Sequence, residues 1–442
     1  MLQDITYFYY YVIIPKIKTV DKEILADAQK IWDINTKTER FQGRFGIYPV
    51  AVGRKLAEDF YGLSDRINEV TNPTTLEEVY TAELKRRSLA EAVFLDHALS
   101  GRPYIFEDVI NIYGIEPDDI QNLRPWLDKN RGPTLNAIER VFAEIEVREY
   151  ELTLPLDRPG VRRQTEEYAQ QRVSVYHRRL GRMFEQITGV GGFLRDITSV
   201  ITIDPRSYFD LYTKTLAISI PAICYLTEDG LPQLRERELI RLFGHEGFGH
   251  GCNKIATEAA ASSPFFLKIV SGATMASLES VAQFYERQIF EDLKASVETQ
   301  KTLEIRHLFD DIYREEIDTQ LINQYKARFF QYGITVLADR SLGNPQDPAV
   351  VAKKTEILES VALYPRSAQE LVESYKQYFD SEGNLYPQVV AELRYTAQPT
   401  QKVLDALKAR GFTYQDHRTK TDILLLQGYW TPIGLVQRAK VA

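Results

Sequence analysis

Apolar residues recur at intervals of three and four over much of the chain, which is the spacing of helices that bury one face. Between residues 85 and 100, Leu89, Ala92 and Val93 follow this spacing, and a Gly-Arg-Pro turn ends the pattern. Most of residues 20–150 show the same helical spacing, with polar and charged residues on the other faces and turn residues between the helices. The pattern predicts a mainly α fold.

Two short segments carry the pattern of strands instead. Residues 199–204 are rich in β-branched side chains, and residues 216–220 alternate with a period of two before Pro221. Residues 222–226 continue apolar, and a Glu-Asp-Gly turn follows them. This small β element is either a structural hairpin or a strand with a free edge, to which an extended peptide could add.

The chain has one clear linker candidate, residues 154–160, where two prolines and a glycine separate helical patterns. We therefore expect an N-terminal helical lobe over 1–157 and a second lobe over 161–442. The helix expected at 162–186 contains six arginines. They form either a solvated, salt-bridged face or a row of cations for a peptide carboxylate.

The most informative stretch is residues 238–253, where His245, Glu246 and His250 lie within six positions. The apolar residues ahead of them have helical spacing, which predicts that the stretch is a helix. Four glycines interrupt it, at 244, 247, 249 and 251. Because glycine weakens a helix interior by about 1 kcal/mol relative to alanine, these glycines indicate a close backbone approach or a bend.

The spacing of the two histidines decides what this helix can do. In the common zinc motif the histidines stand at i and i+4, whereas here they stand at i and i+5. At about 100° per residue, five steps turn the side chain by roughly 140° and would separate the rings. A π-type bulge absorbs one residue and restores a shared face, and Gly247 and Gly249 would ease that distortion. This spacing predicts a metal site, although two histidines on a glycine-rich turn could instead bond backbone carbonyls.

A catalytic zinc ion takes three protein ligands and leaves a position for water. Glu279 follows His250 by 29 residues within an apolar helical segment, and Glu286 lies two turns beyond it on the same face. Unpaired carboxylates are costly in such a buried helix. We therefore predict Glu279 as the third ligand and Glu286 as its support.

Composition limits the classes of function. The 442-residue chain is 44% hydrophobic and 26% charged, with a net charge of −8 that argues against nucleic acid as a partner. Its two cysteines, Cys224 and Cys252, cannot form a disulfide framework and suit a reducing cytosol. The apolar run at 5–14 is too short to span a membrane and lacks the flanks of a signal peptide. A cytoplasmic protein without a membrane partner is expected.

His245-Glu-Gly-Phe-Gly-His250, followed by Glu279-Ser-Val-Ala-Gln-Phe-Tyr-Glu286, resembles the paired motifs of the helical gluzincin metallopeptidases. One similar branch is the tyrosine carboxypeptidase group, with a His-Glu-x-x-x-His helix. The other is a bacterial family of unknown function with an Arg-Tyr motif, which residues 391–401 resemble. The likeness covers roughly 200–405, and Ser280 stands where both branches have glycine.

The resemblance implies a large helical gluzincin-like fold with the β element beside the active-site helix. It implies that His245, His250 and Glu279 hold Zn²⁺ and that Glu246 is the general base for peptide-bond hydrolysis. Tyr395 would stabilise the developing oxyanion, and Arg394 would orient it or bind a substrate carboxylate. An ordinary surface arginine beside a core tyrosine is the alternative for this pair.

The expected activity is that of a zinc metallopeptidase of the carboxypeptidase or oligopeptidase kind, acting on a peptide or a protein C-terminus. A zinc hydrolase of non-peptide amides would use the same chemistry. The competing class is a non-catalytic protein whose metal is structural and whose groove binds a partner. The oligomeric state is not determined by the sequence.

The remaining histidines are predicted to have no metal role. His97 lies beside an apolar stripe, His177 lies among arginines and His417 lies in a polar stretch. His307 precedes Asp310-Asp311, where a solvated acidic face is favoured over a second metal site.

Overall fold

The computed structural model describes residues 20, 22–42, 50–100, 102–147, 154–260, 263–343, 347–380, 382–386, 389–390, 393 and 396–441. These residues form a mainly helical protein with a few short strands, as the apolar spacing predicts. The apolar run at 5–14 lies outside the described residues. Among the described helices, none combines the length and apolar character that crossing a bilayer requires.

The N-terminal part consists of helices, several of which begin at a proline or carry acidic residues in their first turn, as helix N-termini favour. They are α1 (Lys22–Gln42), α2 (Val50–Arg66), α3 (Leu76–Ser100), α4 (Phe106–Tyr113), α5 (Pro117–Gln121), α6 (Leu123–Val147) and α7 (Pro159–Thr188).

Five short strands and two short helices follow. They are α8 (Phe193–Asp196), β1 (Thr198–Thr202), β2 (Tyr208–Asp210), β3 (Thr215–Ser219), α9 (Ile220–Ile223), β4 (Cys224–Leu226) and β5 (Pro232–Leu234). Both predicted strand segments are confirmed as β1 and β3, but they pair in parallel, with Val200 opposite Ala217. The sequence pattern missed β2, which pairs antiparallel to β3 and forms one edge of the sheet. The segment at 216–220 is therefore the central strand, and the free edge considered for it is wrong. Strands β4 and β5 form a separate hairpin.

A long interrupted helix carries the histidine motif, and further helices complete the chain. These elements are α10 (Glu236–Leu242), a π-helix (Phe243–Gly251), α11 (Cys252–Ala259), α12 (Met275–Ala295), α13 (Val297–Thr302), α14 (Phe309–Ala338), α15 (Pro348–Glu359), α16 (Pro365–Glu373), α17 (Tyr375–Tyr378), α18 (Pro399–Ala409), α19 (Arg418–Leu426) and α20 (Pro432–Val441). Short 3₁₀ turns lie at Phe265–Lys268, Gly272–Thr274 and Arg340–Leu342.

The main hydrophobic core draws side chains from both predicted lobes. It contains Trp32 and Phe60 from the first helices, and Phe184, Phe248 and Trp430 from later elements. Stacked rings of Phe184 and Phe248, with centroids 4.2 Å apart, join α7 to the π-helix. Burial of this apolar surface supplies most of the folding free energy. The division at residues 157–161 stays a prediction.

Two buried charged side chains of α3 bind two later segments of the chain, one just before α12 and one just before α20. Arg87 donates to the carbonyls of Phe266 and Ile269, the latter at 2.6 Å. Glu83 accepts from the Thr431 N–H and hydroxyl, both at 2.6 Å, at the start of α20. Because a buried charged group left without its hydrogen-bond partners is costly, α3 holds the connection before α12 and the C-terminal helix in place.

Candidate metal centre

The histidine motif lies on a helix that runs from α10 through the π-helix into α11. A π-helix bonds residue i to i+5, so side chains five positions apart share a face. His245 and His250 accordingly face each other, with ring centroids 5.1 Å apart and planes at 85°. The predicted π-type distortion is confirmed, and it extends over nine residues.

The glycines of this segment serve close packing. A Cβ on Gly249 would lie 2.4 Å from the Ala282 Cα, and one on Gly244 would lie 2.7 Å from the Tyr285 carbonyl oxygen. Neither glycine has a positive φ, so other residues could adopt the same backbone conformation. These two glycines, also five positions apart, let α12 approach the backbone of the π-helix.

The close approach of α12 places Glu279 opposite the two histidines. Its Oε2 lies 3.6 Å from His245 Nε2, and its Oε1 lies 3.9 Å from His250 Nε2. One ligand atom from each of the three residues lies within 4.8 Å of the others, so the group could hold a metal ion. Across the described part of the chain, no other group of three such side chains converges in this way.

The donor set fits a divalent ion that keeps an open position. It has two imidazoles and one carboxylate, whereas structural zinc sites are usually rich in cysteine and closed by four protein ligands. The nearest cysteine, Cys252, is buried, and burial raises the pKa of its thiol well above the ordinary value. A buried thiol of this kind is a core residue and not a ligand.

Glu286 orients one of the histidines. His245 Nδ1 lies 2.9 Å from Glu286 Oε2 and donates its proton there, so Nε2, once it has lost its own proton, is the nitrogen that would bind an ion. Arg241 Nη1 lies 3.5 Å from the other oxygen of Glu286. Burial raises the pKa of Glu286, but the bond to His245 and the charge of Arg241 lower it below the ordinary value. The predicted supporting position of Glu286 agrees with this geometry.

The electrostatics of the centre favour a cation. Burial lowers the pKa of His245, but the carboxylates of Glu279 and Glu286 beside its two ring nitrogens raise it to about 10. The carboxylates of Glu246, Glu279 and Glu286 thus stabilise positive charge at His245. Because a ligating imidazole must be neutral, a divalent ion would take the place of a proton there.

Glu246 is adjacent to the ligand set but does not belong to it. Its Oε2 accepts a hydrogen bond of 3.0 Å from the Phe209 N–H, on the edge strand β2. Burial raises the pKa of Glu246 to about 7, with the charge of His245 opposing and that of Glu279 adding to the shift. A carboxyl group with this pKa can exchange a proton near neutral pH.

A charged layer lies behind the centre, between α10 and α14. Arg237 contacts Glu238, Glu315 and Glu316, with its Nη1 2.9 Å from Glu316 Oε2. Burial raises the pKa of Glu316 to about 7, although the charge of Arg237 opposes the shift. This carboxyl group links the stability of the protein to pH.

We expect the free energy of unfolding to fall as the pH rises from about 5 to about 7. In this range the folded state keeps a proton on Glu316 that the unfolded state has lost, so the slope is negative, at most about 1.4 kcal/mol per pH unit for one proton. Glu246, whose pKa is also raised to about 7, adds to the slope, so Glu316→Gln should make the slope less steep by the share of one proton. Urea unfolding at several pH values would measure the difference. A variant with the same slope as the parent would contradict the assignment.

The other polar residues singled out in the sequence have local partners. His97 lies 3.1 Å from Asp108 and stacks on Tyr104, and His177 lies 2.6 Å from the Ser199 hydroxyl. Burial lowers the pKa of His177, as expected of a core histidine. His307, Asp310 and Asp311 are exposed and form no metal group.

The contacts of the arginine-rich helix α7 agree in part with the predicted salt-bridged face. Arg162 and Arg163 pair with glutamates one turn along, at 2.8 and 2.9 Å, and Arg172 reaches Glu236 at 2.9 Å. Arg178, Arg179 and Arg182 are exposed. The alternative, in which these cations bind a carboxylate, stays a prediction.

Arg394 and Tyr395 lie outside the described residues. Close to them in sequence, the Thr400 N–H at the start of α18 donates to Ser280 Oγ at 3.3 Å, and Ser280 Oγ donates to Thr400 Oγ1 at 2.9 Å. Ser280 thus fixes the helix that follows the Arg-Tyr pair against the turn that carries Glu279. Sequence reasoning missed this contact and the one from Phe209, because each joins residues far apart in the chain.

Comparison of the chain with protein-family models, with curated proteins and with solved structures gave no match.

Proposed function

We propose that this chain is a zinc-dependent hydrolase of peptide bonds, with the helical gluzincin architecture that its motifs resemble. The observation that carries the proposal is the position of Glu246. It is a partly buried carboxyl group next in the chain to His245, a member of the set of two histidines and one glutamate, and the Phe209 N–H fixes its Oε2 at 3.0 Å. A structural metal site has no need of such a group.

His245, His250 and Glu279 would hold the ion. Bound Zn²⁺ would supply Lewis-acid polarisation of the scissile carbonyl and a water of lowered pKa. Glu286 keeps the proton on His245 Nδ1, so that Nε2 stays a ligand. Arg241 in turn keeps Glu286 ionised.

Glu246 would act as general base and then as general acid. It takes a proton from the attacking water and passes it to the leaving amine. Tyr395 and Arg394 remain our candidates for stabilising the oxyanion and for binding a substrate carboxylate.

The edge strand β2 would bind the substrate backbone. The Phe209 N–H points away from β3 and towards Glu246, and in a strand the carbonyl of the same residue points the same way. Because the N–H is already bonded to Glu246, the Phe209 carbonyl is the group of this edge that would accept a hydrogen bond from an extended peptide. Asp210 Oδ1 accepts hydrogen bonds from the N–H groups of Tyr212 and Thr213, so the chain turns directly after β2. The edge is therefore short and suits a short peptide or a chain terminus.

Metal removal tests the proposal directly. We expect the purified chain to contain about one zinc ion by elemental analysis and to hydrolyse members of a panel of peptides that differ at the C-terminus. Dialysis against a chelator should abolish hydrolysis, and one equivalent of zinc should restore it. Hydrolysis that survives complete removal of metal would refute the proposal.

We expect Glu286→Gln to weaken metal binding by about 10- to 100-fold, the usual effect of losing the carboxylate behind a ligating histidine. Competition with a chromophoric chelator would measure the dissociation constant. Glu291→Gln is the matched control, because Glu291 is exposed on the same helix and bonds Tyr313. Equal affinities for the two variants would show that Glu286 has no role in orienting His245.

A further inference from the structure

A small cavity lies behind the metal centre, between α11, the start of α12 and the segment before α20. Its volume is ≈ 10 Å³. Apolar side chains, among them Leu278, Val281 and Leu425, form most of its wall. Three polar side chains complete the wall: those of Asn253, Ser277 and Tyr429.

Each of these three side chains has a buried polar atom without a hydrogen-bond partner among the residues that the structure describes. The atoms are Asn253 Oδ1, Ser277 Oγ and the Tyr429 hydroxyl oxygen. The residues are only 2%, 4% and 3% exposed. Buried polar side chains are nearly always hydrogen-bonded, and each exception needs a physical reason. Three such atoms around one cavity point to a common partner.

Hydrogen bonds hold the Tyr429 side of this wall in place. The Tyr429 N–H donates to the Leu267 carbonyl at 2.9 Å, and the Gly428 N–H donates to Thr257 Oγ1 at 2.8 Å. Trp430 Nε1 donates to the Gln427 carbonyl at 3.0 Å. These bonds fix the segment 427–430, and with it the position of Tyr429 beside the cavity.

We propose that this cavity is a binding site for a single buried water molecule, shared by Asn253, Ser277 and Tyr429. The volume admits one molecule of that size and excludes an organic ligand. The lining has no carboxylate, which disfavours a metal ion. Asn253 Oδ1 can only accept, whereas each hydroxyl can donate or accept. A water molecule in the cavity would bond two or all three of these atoms, within the two to four bonds that are usual for a buried water.

The position of the site gives the water a structural role. Asn253 follows His250 by three residues, and Ser277 precedes Glu279 by two. The water would join the two helices that carry metal ligands to the segment of Tyr429, which Arg87 also contacts at 3.4 Å. This inference concerns the folded chain without metal, so it does not rest on the proposed function.

The sign of a stability change tests the proposal. If water bonds the three atoms, Tyr429→Phe and Ser277→Ala each remove a hydrogen bond, and the unfolding equilibrium constant should rise about 5- to 30-fold. If the cavity is dry, either change removes an unsatisfied polar group, and stability should stay the same or increase. Urea unfolding of the metal-free chain measures the constant, and Tyr364→Phe, at an exposed tyrosine, is the control that should show no change.

A crystal structure of the unaltered chain gives a second, independent measurement. We expect density for one water within about 2.7–3.2 Å of at least two of the three atoms. Absence of that density, or variants at least as stable as the parent, would overturn the proposal. The crystal structure decides the matter if a variant fails to fold.

Discussion

Glu246→Gln should lower the rate of peptide hydrolysis by about 10²- to 10⁴-fold, the usual contribution of a general base. The amide cannot take a proton from water, so the chemical step loses its proton acceptor. Glutamine has nearly the same size, and its carbonyl oxygen can still accept the Phe209 N–H that Glu246 accepts at 3.0 Å. The fold and the ligand set should therefore survive.

The metal content of the same variant separates the two classes of function. His245, His250 and Glu279 are unchanged, so elemental analysis should find as much zinc as in the parent. A hydrolase would then lose its activity while keeping its ion. The control is Glu298→Gln, because Glu298 is exposed on α13 and pairs only loosely with Lys301, at 3.9 Å.

Two results would contradict the assignment of Glu246. One is a variant that keeps the parent's kcat with its metal bound, since the base would then be elsewhere. The other is a variant that loses its metal, because Glu246 would then act as a ligand. A hydrolase acting on non-peptide amides would show the same loss of activity, and the peptide panel distinguishes it.

Gly249→Ala should lower the free energy of unfolding by about 3 kcal/mol, at the upper end of the usual range for overpacking. The new Cβ would meet the Ala282 Cα at 2.4 Å and its Cβ at 2.7 Å. Since the first of these atoms is backbone, the clash cannot be relieved by a side-chain rotation. The π-helix and α12 would have to separate.

The separation should also weaken the metal site. Gly249 precedes His250, and Ala282 lies one turn beyond Glu279 on α12. Moving the two helices apart would increase the distance of 3.9 Å that now joins His250 Nε2 to Glu279 Oε1. We expect a weaker affinity for zinc together with the loss of stability.

Gly62→Ala is the matched control for this substitution. Gly62 lies within helix α2, and beyond its own helical turn no atom of the described residues lies within 4 Å of the position a Cβ would occupy. The same chemical change there should raise the free energy of unfolding by up to about 1 kcal/mol, the difference in helix propensity. Equal effects at the two positions would show that close packing is not the reason for glycine at 249.

Much of the metal centre could be predicted from the sequence because it depends on local geometry. The spacing of His245 and His250 implies a π-type distortion wherever the segment is helical, and the structure contains one. The apolar setting of Glu279 and Glu286 predicted a buried helix with both carboxylates on one face. Their contacts with the histidines agree with that arrangement.

The tertiary structure decided the contacts between distant segments. The strand β2, whose Phe209 bonds Glu246 across 37 residues, has no sequence pattern of its own, since three residues are too few to show a period. The bond between Ser280 and Thr400 joins residues 120 positions apart. The parallel pairing of β1 with β3 was equally hidden.

The sequence determines some of these features and not others because a sequence pattern reflects only local geometry. The spacing of apolar residues and histidines determines which side of one helix they occupy, because that depends only on the rotation per residue. How closely two helices approach depends on all the surfaces that pack around them. The sequence by itself thus determined the helical class and the histidine pair. Only the packed structure brought Glu279, Glu246 and β2 to the same place.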